Sequence, residues 1–567
     1  LFSLVITTKL RFNKLICPIT SVAMQDTLRQ AISDALARFG LVAGEIALEQ
    51  PARRAHGDLS SNVALTLAKQ AQQPPRQLAE SLAQQLNSAE LSHVESVEVA
   101  GPGFVNFRLS DSWWQSVVED VLTLGVDNYA RLDFGQGIKV NLEFISANPT
   151  GPLHAGHARG AAFGDALAQI LKRCGYDVST EFYVNDQGRQ LKLFAESLRA
   201  VKDGTPLPED GYRGDYVVEW AQELNDEVDD LRRWARDKSL ADQQQTLSKL
   251  GISFDRWFNE SELVETGRVH ALLEELLAQD KAYEKDGATW LRVSHYGDSQ
   301  DRVLVKSNGD LTYLTPDIAY HADKLSRADQ LIDIWGADHH DYVTRLKSAL
   351  AAIGEDRSRV EIITCQIVKL MRAGTEVKLS KRTGDLISID ELIEDIGSDA
   401  TKFAYLQQTP DSHLTIDLDV LRENSMENPV YYVQYAHVRA CAILRQAAQL
   451  GAAGSGAGAG GGTETEAGGS GTRLELLNHE RELELMRLMR NLPDELQTAC
   501  TARTPHRIVA WLKELASAFH GFYHDCRVTG NDVPEELTQA RLSLVKAAQI
   551  CLAIGLHLAG VSTPERM

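Results

Sequence analysis

The chain has 567 residues, 43% apolar and 24% charged, a globular balance with length for about three or four domains. No apolar run approaches the roughly 20 residues of a membrane span, which reads against a membrane-embedded protein. Seven scattered cysteines, never paired as C-x-x-C, argue against a disulfide scaffold or zinc ribbon and fit reduced cytosol, while 58 basic against 79 acidic residues give a net −21 and no indiscriminate grip on nucleic acid. A local basic face can still coexist with an acidic whole.

Residues 1–23 precede the first methionine, Met24, and carry Lys9, Arg11 and Lys14 without an acid. They read as an upstream extension of doubtful status. From residue 24 to 130, MQDTLRQAISDALARFG and LSSNVALTLAKQAQ have helical spacing, and VESVEVAGPGFVNFRLS reads as strand, Gly-Pro-Gly turn, strand. This predicts an N-terminal α+β module.

From 131 to 420 the rhythm becomes strand–helix alternation. IKVNLEFI, YDVSTEFYV, QLIDIWG and VEIITCQIV are buried-type strands, so a parallel sheet with helices on both faces is expected. A polar helical insertion interrupts it at about 207–281; within it the acidic run EWAQELNDEVDD reads as a solvated helix face. From 421 to 567 the pattern is helical throughout, an all-α domain split by a Gly-rich stretch at 451–472 that predicts a flexible linker without a site.

The strongest chemical signal is EFISANPTGPLHAGHARG, residues 143–160. A strand ends, Pro149, Gly151 and Pro152 shape a turn, and a helix begins near His154. Ligands of parallel sheets bind beyond strand carboxyl ends, against helix N-termini that favour phosphate. His154 and His157, three apart, share one face of the first turn, and Gly156 lets a base or ribose approach the backbone. Two imidazole donors there suit an α-phosphate in in-line displacement, whereas capping or metal ligation is the plainer reading. No cysteine or further histidine stands at zinc-ligand spacing, so no metal site is expected. A second signal, EVKLSKRTGD at 376–385, sets Lys378, Ser380 and Lys381 in a loop, where cations can neutralise departing pyrophosphate; alone it also reads as a solvated turn.

Together, His154-Ala155-Gly156-His157 and Lys378-Leu379-Ser380-Lys381 resemble the two signatures of class I aminoacyl-tRNA synthetases, with Leu379 where methionine is typical. The longer context resembles the arginyl-tRNA synthetase family, bacterial type: GPGFVNFRL (101–109), YLTPDIAYH (313–321), GADHHDYV (336–343), NPVYYVQYAHVR (428–439) and GVSTPERM (560–567). It covers essentially everything from Met24 to Met567 outside the Gly-rich insert. It implies a Rossmann-like α/β catalytic domain between the α+β module and an all-α anticodon-binding domain.

The resemblance also implies site residues. His154, His157, Lys378 and Lys381 would be catalytic. With Gly156, Gly336, Asp338, His339 and Ser380 they would hold ATP, which enters with Mg2+ as the substrate complex. Arginine would meet Glu143, Ser146, Asn148, Tyr313 and Asp317: Asp317 on the guanidinium, Tyr313 on the side chain, Asn148 and Ser146 at the α-amino and carboxylate end, Glu143 at either cationic end. Asp317 also reads as a helix cap and Tyr313 as core. For tRNA(Arg) the candidates are Phe104 and Asn106 at the D-loop corner, and Tyr435, Tyr523 and Met567 at anticodon bases. Phe104 equally reads as a packed strand residue. The expectation is a cytoplasmic, monomeric arginine–tRNA ligase, and the resemblance implies that tRNA must be bound before arginine is activated. A cysteine-specific ligase would want a zinc site, and a non-catalytic tRNA-binding scaffold would want eroded signatures; neither feature is visible.

Overall fold

The computed structural model describes residues 21–567, apart from 50, 52, 54–55, 226–227, 378–386 and 452–471. Residues 1–20 of the leader, the Lys378–Lys381 signature and nearly all of the Gly-rich insert therefore lie outside the described residues.

In the N-terminal module, β1 (Leu59–Ser61), β2 (Val94–Ala100) and β3 (Phe104–Leu109) form an antiparallel sheet with β3 in the middle. The Gly-Pro-Gly turn joins β2 to β3, as the sequence suggests. Helix Pro75–Ser88 buries Leu78, Leu82 and Leu86 in this module's core, an i, i+4 stripe.

The catalytic region opens with β4 (Lys139–Glu143), β5 (Asp177–Val184) and β6 (Arg256–Asn259), all parallel. A small antiparallel sheet of β7 (Ala282–Lys285), β8 (Ala288–Leu291) and β9 (Arg302–Val305) follows. Then β10 (Gln330–Gly336) and β11 (Val360–Cys365) return to the main sheet, which runs β11–β10–β4–β5–β6. This is a Rossmann-like order. The chain leaves β4 for β5 on one side while β10 lies on the other, so a crevice opens at the carboxyl ends of β4 and β10. Helix Ala155–Arg173 makes the first crossover. Its alanines allow close packing, and at Gly164 a Cβ would sit 2.2 Å from the Phe144 ring.

Two expectations need correction. The insertion is not wholly helical: Arg256–Asn259 is an edge strand of the main sheet, held by Trp257 stacked on Phe182 at 4.2 Å. Four residues are too few for a strand period to stand out among helices. The antiparallel β7–β9 sheet, starting beside that stretch, also escaped the sequence reading. Secondly, helix Glu535–Leu558 is long and apolar enough by composition to cross a membrane, with a window hydropathy of 1.3. In the fold 67% of that window is buried, as expected of a central helix in a bundle.

The helical C-terminal region packs directly on the catalytic region. Helix Asp111–Asn128 bridges them: Tyr129 gives its hydroxyl to Met489 O at 2.8 Å, and buried Arg490 pairs with Asp120 at 2.7 Å. Apolar residues of the N-terminal module, the sheet and the C-terminal helices form one continuous core.

Candidate active site

His154 is the N-cap of the first crossover helix. Its Nδ1 accepts from Gly156 N–H at 3.1 Å, and its own N–H donates to His157 Nδ1 at 3.2 Å, a reciprocal capping box. The rings lie 3.8 Å apart. The capping reading thus holds, and it has a chemical consequence. With Nδ1 accepting, each neutral imidazole carries its proton on Nε2, so both Nε2–H groups are donors. Gly156 is required by the cap: a Cβ there would meet the His154 ring at 2.9 Å.

The segment between β4 and this helix is strained. Ile145 at φ 71° and Ser146 at φ 42° are consecutive non-glycine residues in left-handed conformation, each costing roughly 1–3 kcal/mol. Ser146 repays part of this, donating to Glu143 Oε1 at 2.8 Å and accepting from Tyr183 N–H at 3.1 Å. Glu143 is buried at the end of β4, and its other oxygen meets Lys324 at 2.5 Å. Lys324 also meets Asp333 at 2.6 Å, and Asp333 takes His321 Nε2 at 2.9 Å. Burial alone would lower the Lys324 ammonium, but Asp333 and Glu143 outweigh it and raise it. Both Glu143 oxygens are therefore engaged inside the protein.

Asp317 lies in the first turn of helix Leu314–Arg327 and accepts the Tyr342 hydroxyl at 2.5 Å. Burial raises its carboxyl, against Tyr342 and His321, and Glu143 adds to the rise. Glu260, just after β6, accepts the Tyr183 hydroxyl at 2.8 Å and is raised by burial and by Asp317. Sequence reasoning missed Glu260, Tyr342, Tyr183 and Lys324, since nothing local marks residues that meet only across the sheet. Partly buried carboxylates, each raised by burial and by a neighbouring carboxylate, make a cluster that a cation relieves. Tyr313 stands at the rim, 71% exposed, and Asn148 is exposed with its amide 2.7 Å from Gln190.

Gly336 ends β10, and the turn Ala337–His339 carries Asp338 and His339 exposed at the carboxyl end of the strand that neighbours β4. Arg159, two residues beyond His157 and 2% exposed, donates to the carbonyls of Gln366, Thr409 and Ser412 at 2.7–3.0 Å. It ties the His-motif helix to the start of the hairpin β12 (Val368–Arg372) and β13 (Thr375–Glu376). Beyond residues 378–386, Ala155 N–H donates to Ile387 O and Ile389 N–H to Leu153 O, both at 2.9 Å. Segments flanking the second signature on either side are thus anchored to the first.

Family models match three consecutive parts: the arginyl tRNA synthetase N terminal domain at 24–109, the class I (R) tRNA synthetase catalytic domain at 119–210 and 211–412, and the DALR anticodon binding domain at 433–567. The chain is 42% identical to an arginine–tRNA ligase of Shouchella clausii over 92% of its length and 94% of the relative's. It is likewise 42% identical to that of Geobacillus thermodenitrificans, over 96% and 99%. The chain belongs to the arginyl-tRNA synthetase family.

As a class I aminoacyl-tRNA synthetase it is a ligase. The fold agrees with that of arginyl-tRNA synthetase from Thermus thermophilus, at TM-score 0.73 over 96% of this chain and all of the other, with 23% identity.

The synthetase's helical domain brings Tyr435 and Tyr523 together around a residue the sequence reading left out. Arg439 lies 4.5 Å from both ring centroids and donates to the Tyr435 hydroxyl at 2.9 Å. Tyr431 stacks parallel on Tyr435. Met567 is exposed and lines, with Tyr431 and Gln434, an open pocket of about 310 Å3. In the N-terminal module Phe104 is 39% exposed, whereas Asn106 is buried and its amide oxygen accepts from Ser60 at 2.7 Å. The base-edge contact expected of Asn106 meets a covered side chain: it alternates onto the Phe104 face of β3, away from the core residues Val105 and Phe107, and is buried there with its oxygen bonded to Ser60, its register partner in β1.

Proposed function

We propose that the chain is an arginine–tRNA ligase whose crevice between β4 and β10 forms arginyl-adenylate. The arginine carboxylate attacks the ATP α-phosphorus, the bond to the β-phosphate oxygen breaks, and pyrophosphate leaves. A ribose hydroxyl of the 3′-terminal adenosine then attacks the arginyl carbonyl, and AMP departs. No side chain need be a nucleophile; positioning and charge stabilisation carry the rate.

In this reading the Nε2–H groups of His154 and His157 meet the α-phosphate as it becomes five-coordinate, at a helix N-terminus that already favours anions. Gly156, Gly336, Asp338 and His339 take the nucleoside. ATP enters as its Mg2+ complex, and Lys378, Ser380 and Lys381 take charge from the triphosphate. Asp317 and Glu260 receive the guanidinium, Tyr313 covers it, and Ser146 and Asn148 serve the α-amino and carboxylate end. Glu143 acts by orienting Ser146, since its own oxygens are engaged. A planar cation with five donors answers such carboxylates, whereas neutral citrulline leaves them uncompensated. Tyr435, Tyr523 and Met567 meet anticodon bases, Phe104 meets the D-loop corner, and Asn106 would have to leave Ser60 to join it. We place the enzyme in the cytoplasm, working as a monomer.

The observation that carries the reading is the pairing of capped histidine donors after β4 with partly buried carboxylates, Asp317 and Glu260, held by tyrosine hydroxyls in the same region. Labelled arginine charging of total tRNA tests it. Acid-precipitable label that disappears when the tRNA's terminal diol is first cleaved with periodate is expected. Label on untreated and treated tRNA alike would contradict the ester.

A further inference from the structure

The helical segment between β5 and β6 touches the crevice from outside, and its contacts are selective. In helix Leu231–Lys249, Gln243 is 1% exposed and donates to the carbonyls of Asn148 at 3.1 Å and Gly151 at 2.9 Å. From helix Asp215–Glu223, Tyr216 donates to Thr150 O at 3.2 Å. Gly151, at φ 137°, lies under the Tyr216 ring, which a Cβ would approach to 2.7 Å. Three carbonyls of the lead-in to His154 are thus gripped from this segment.

Thr246 lies on the same helix face as Gln243 and is equally buried. Its hydroxyl donates to Asp390, and Lys249 pairs with the other oxygen of the same carboxylate. Asp390 belongs to the first turn of helix Ile389–Ile396, which Ser388 caps. Leading into that turn, Ile387 and Ile389 pair by backbone with Ala155 and Leu153. At the helix end Leu250 O accepts from Lys402 at 3.0 Å, and Lys402 pairs with Asp165 of the His-motif helix at 2.6 Å.

We infer that helix Leu231–Lys249 is a strut that holds the His154 turn and the first turn of helix Ile389–Ile396 at fixed separation, making Thr246 and Gln243 positioning residues for the ATP half of the reaction. Donors that must meet a reacting phosphate tolerate little displacement, since about 1 Å can cost roughly 10²-fold. Asp317 and Tyr342 hang on other elements, and the helix reaches toward Glu260 from nearer its start, where Arg236 pairs with Asp186 and Asp186 holds Ser261, so a change at Thr246 leaves the guanidinium carboxylates in place. The inference rests on the proposed adenylate chemistry.

Pyrophosphate exchange with Thr246→Val and Thr246→Ser tests it, read as separate KM values for ATP and arginine. Valine keeps the shape and removes the donor; serine keeps the donor. Thr246→Val should raise the ATP KM about five- to tenfold and leave the arginine KM within about twofold, and Thr246→Ser should restore both. An unchanged ATP KM, an equal rise in both KM values, or a serine variant as impaired as valine would overturn the strut. Should Thr246→Val melt below the assay temperature, Gln243→Leu takes its place, and an unchanged ATP KM there overturns it equally. If the unaltered protein shows no exchange, the adenylate reading fails and amide hydrogen exchange at residues 153–157 decides the strut. Faster exchange in Thr246→Val supports it; identical protection rejects it.

Discussion

The crevice and the helical domain's aromatic face are built on opposite principles. In the crevice, Glu143, Lys324 and Asp333 are buried charges locked into one another with His321 bonded to them, and strained backbone at Ile145 and Ser146 is held in place by Glu143. On the helical domain, Tyr435, Arg439 and Tyr523 stack near the surface, backed by the rings of Tyr431 and His520 and by no buried ion pair of their own among the described residues. Buried, fully paired charge confers preorganisation and is intolerant of change, because breaking a pair strands its partner. Exposed stacking is adaptable and additive, which suits bases presented by a large partner. Substitutions in the two regions should therefore differ in what they disturb.

The largest effect belongs to the crevice. If His157 donates to the reacting phosphate as proposed, His157→Ala should lower adenylate formation in a single-turnover burst on the order of 10²-fold. Because His157 also completes the helix cap, about 1 kcal/mol of unfolding free energy should go with it. Asp317→Asn comes next. Losing a charge-assisted partner of the guanidinium should raise the arginine KM roughly 10- to 100-fold, with the ATP KM little changed. On the helical face, Tyr523→Ala should raise the tRNA KM about tenfold while leaving the arginine KM and the melting temperature alone. A tRNA effect from Asp317→Asn as large as that of Tyr523→Ala would dissolve the contrast.

The smallest effect concerns pH. Burial and Asp390 raise the Asp242 carboxyl to about 6, above its ordinary value of 3.8. Between those values the folded chain holds more protons than the unfolded one, so this group's contribution to stability falls as pH rises through that window. Above pH 6 the folded chain carries a disfavoured carboxylate. Asp242→Asn should then stabilise by about 1 kcal/mol at pH 7.5, allowing for the group's partial exposure, and by nothing near pH 4. Denaturant melts at the two pH values measure this. The helical face should show no such dependence on this substitution.

The contrast also explains what the sequence could reveal. The His154–His157 motif was legible because strand, Pro/Gly turn and capped helix are local events, each with its own residue signature. Tyr435 and Tyr523 were legible as aromatic candidates, but Arg439 between them was passed over although it closes the same quoted motif. The crevice's buried network was invisible, since Lys324, Asp333 and Glu260 acquire meaning only when β4, β6 and β10 come together. Asn106 went the other way: its motif suggested an outward donor, and on that face of β3 it is covered, its oxygen bonded to Ser60 of the neighbouring strand. Parallel strands stood out by β-branched runs, whereas β6 and the β7–β9 sheet were too short to announce themselves.

The central claim is that the crevice activates arginine, and amino-acid-dependent ATP–pyrophosphate exchange tests it most directly. It should be run with and without total tRNA, using lysine and citrulline as controls. Exchange with arginine alone, appearing when tRNA is added, is the expected result. Absence of exchange with any amino acid, from folded protein that still binds tRNA, would contradict the account.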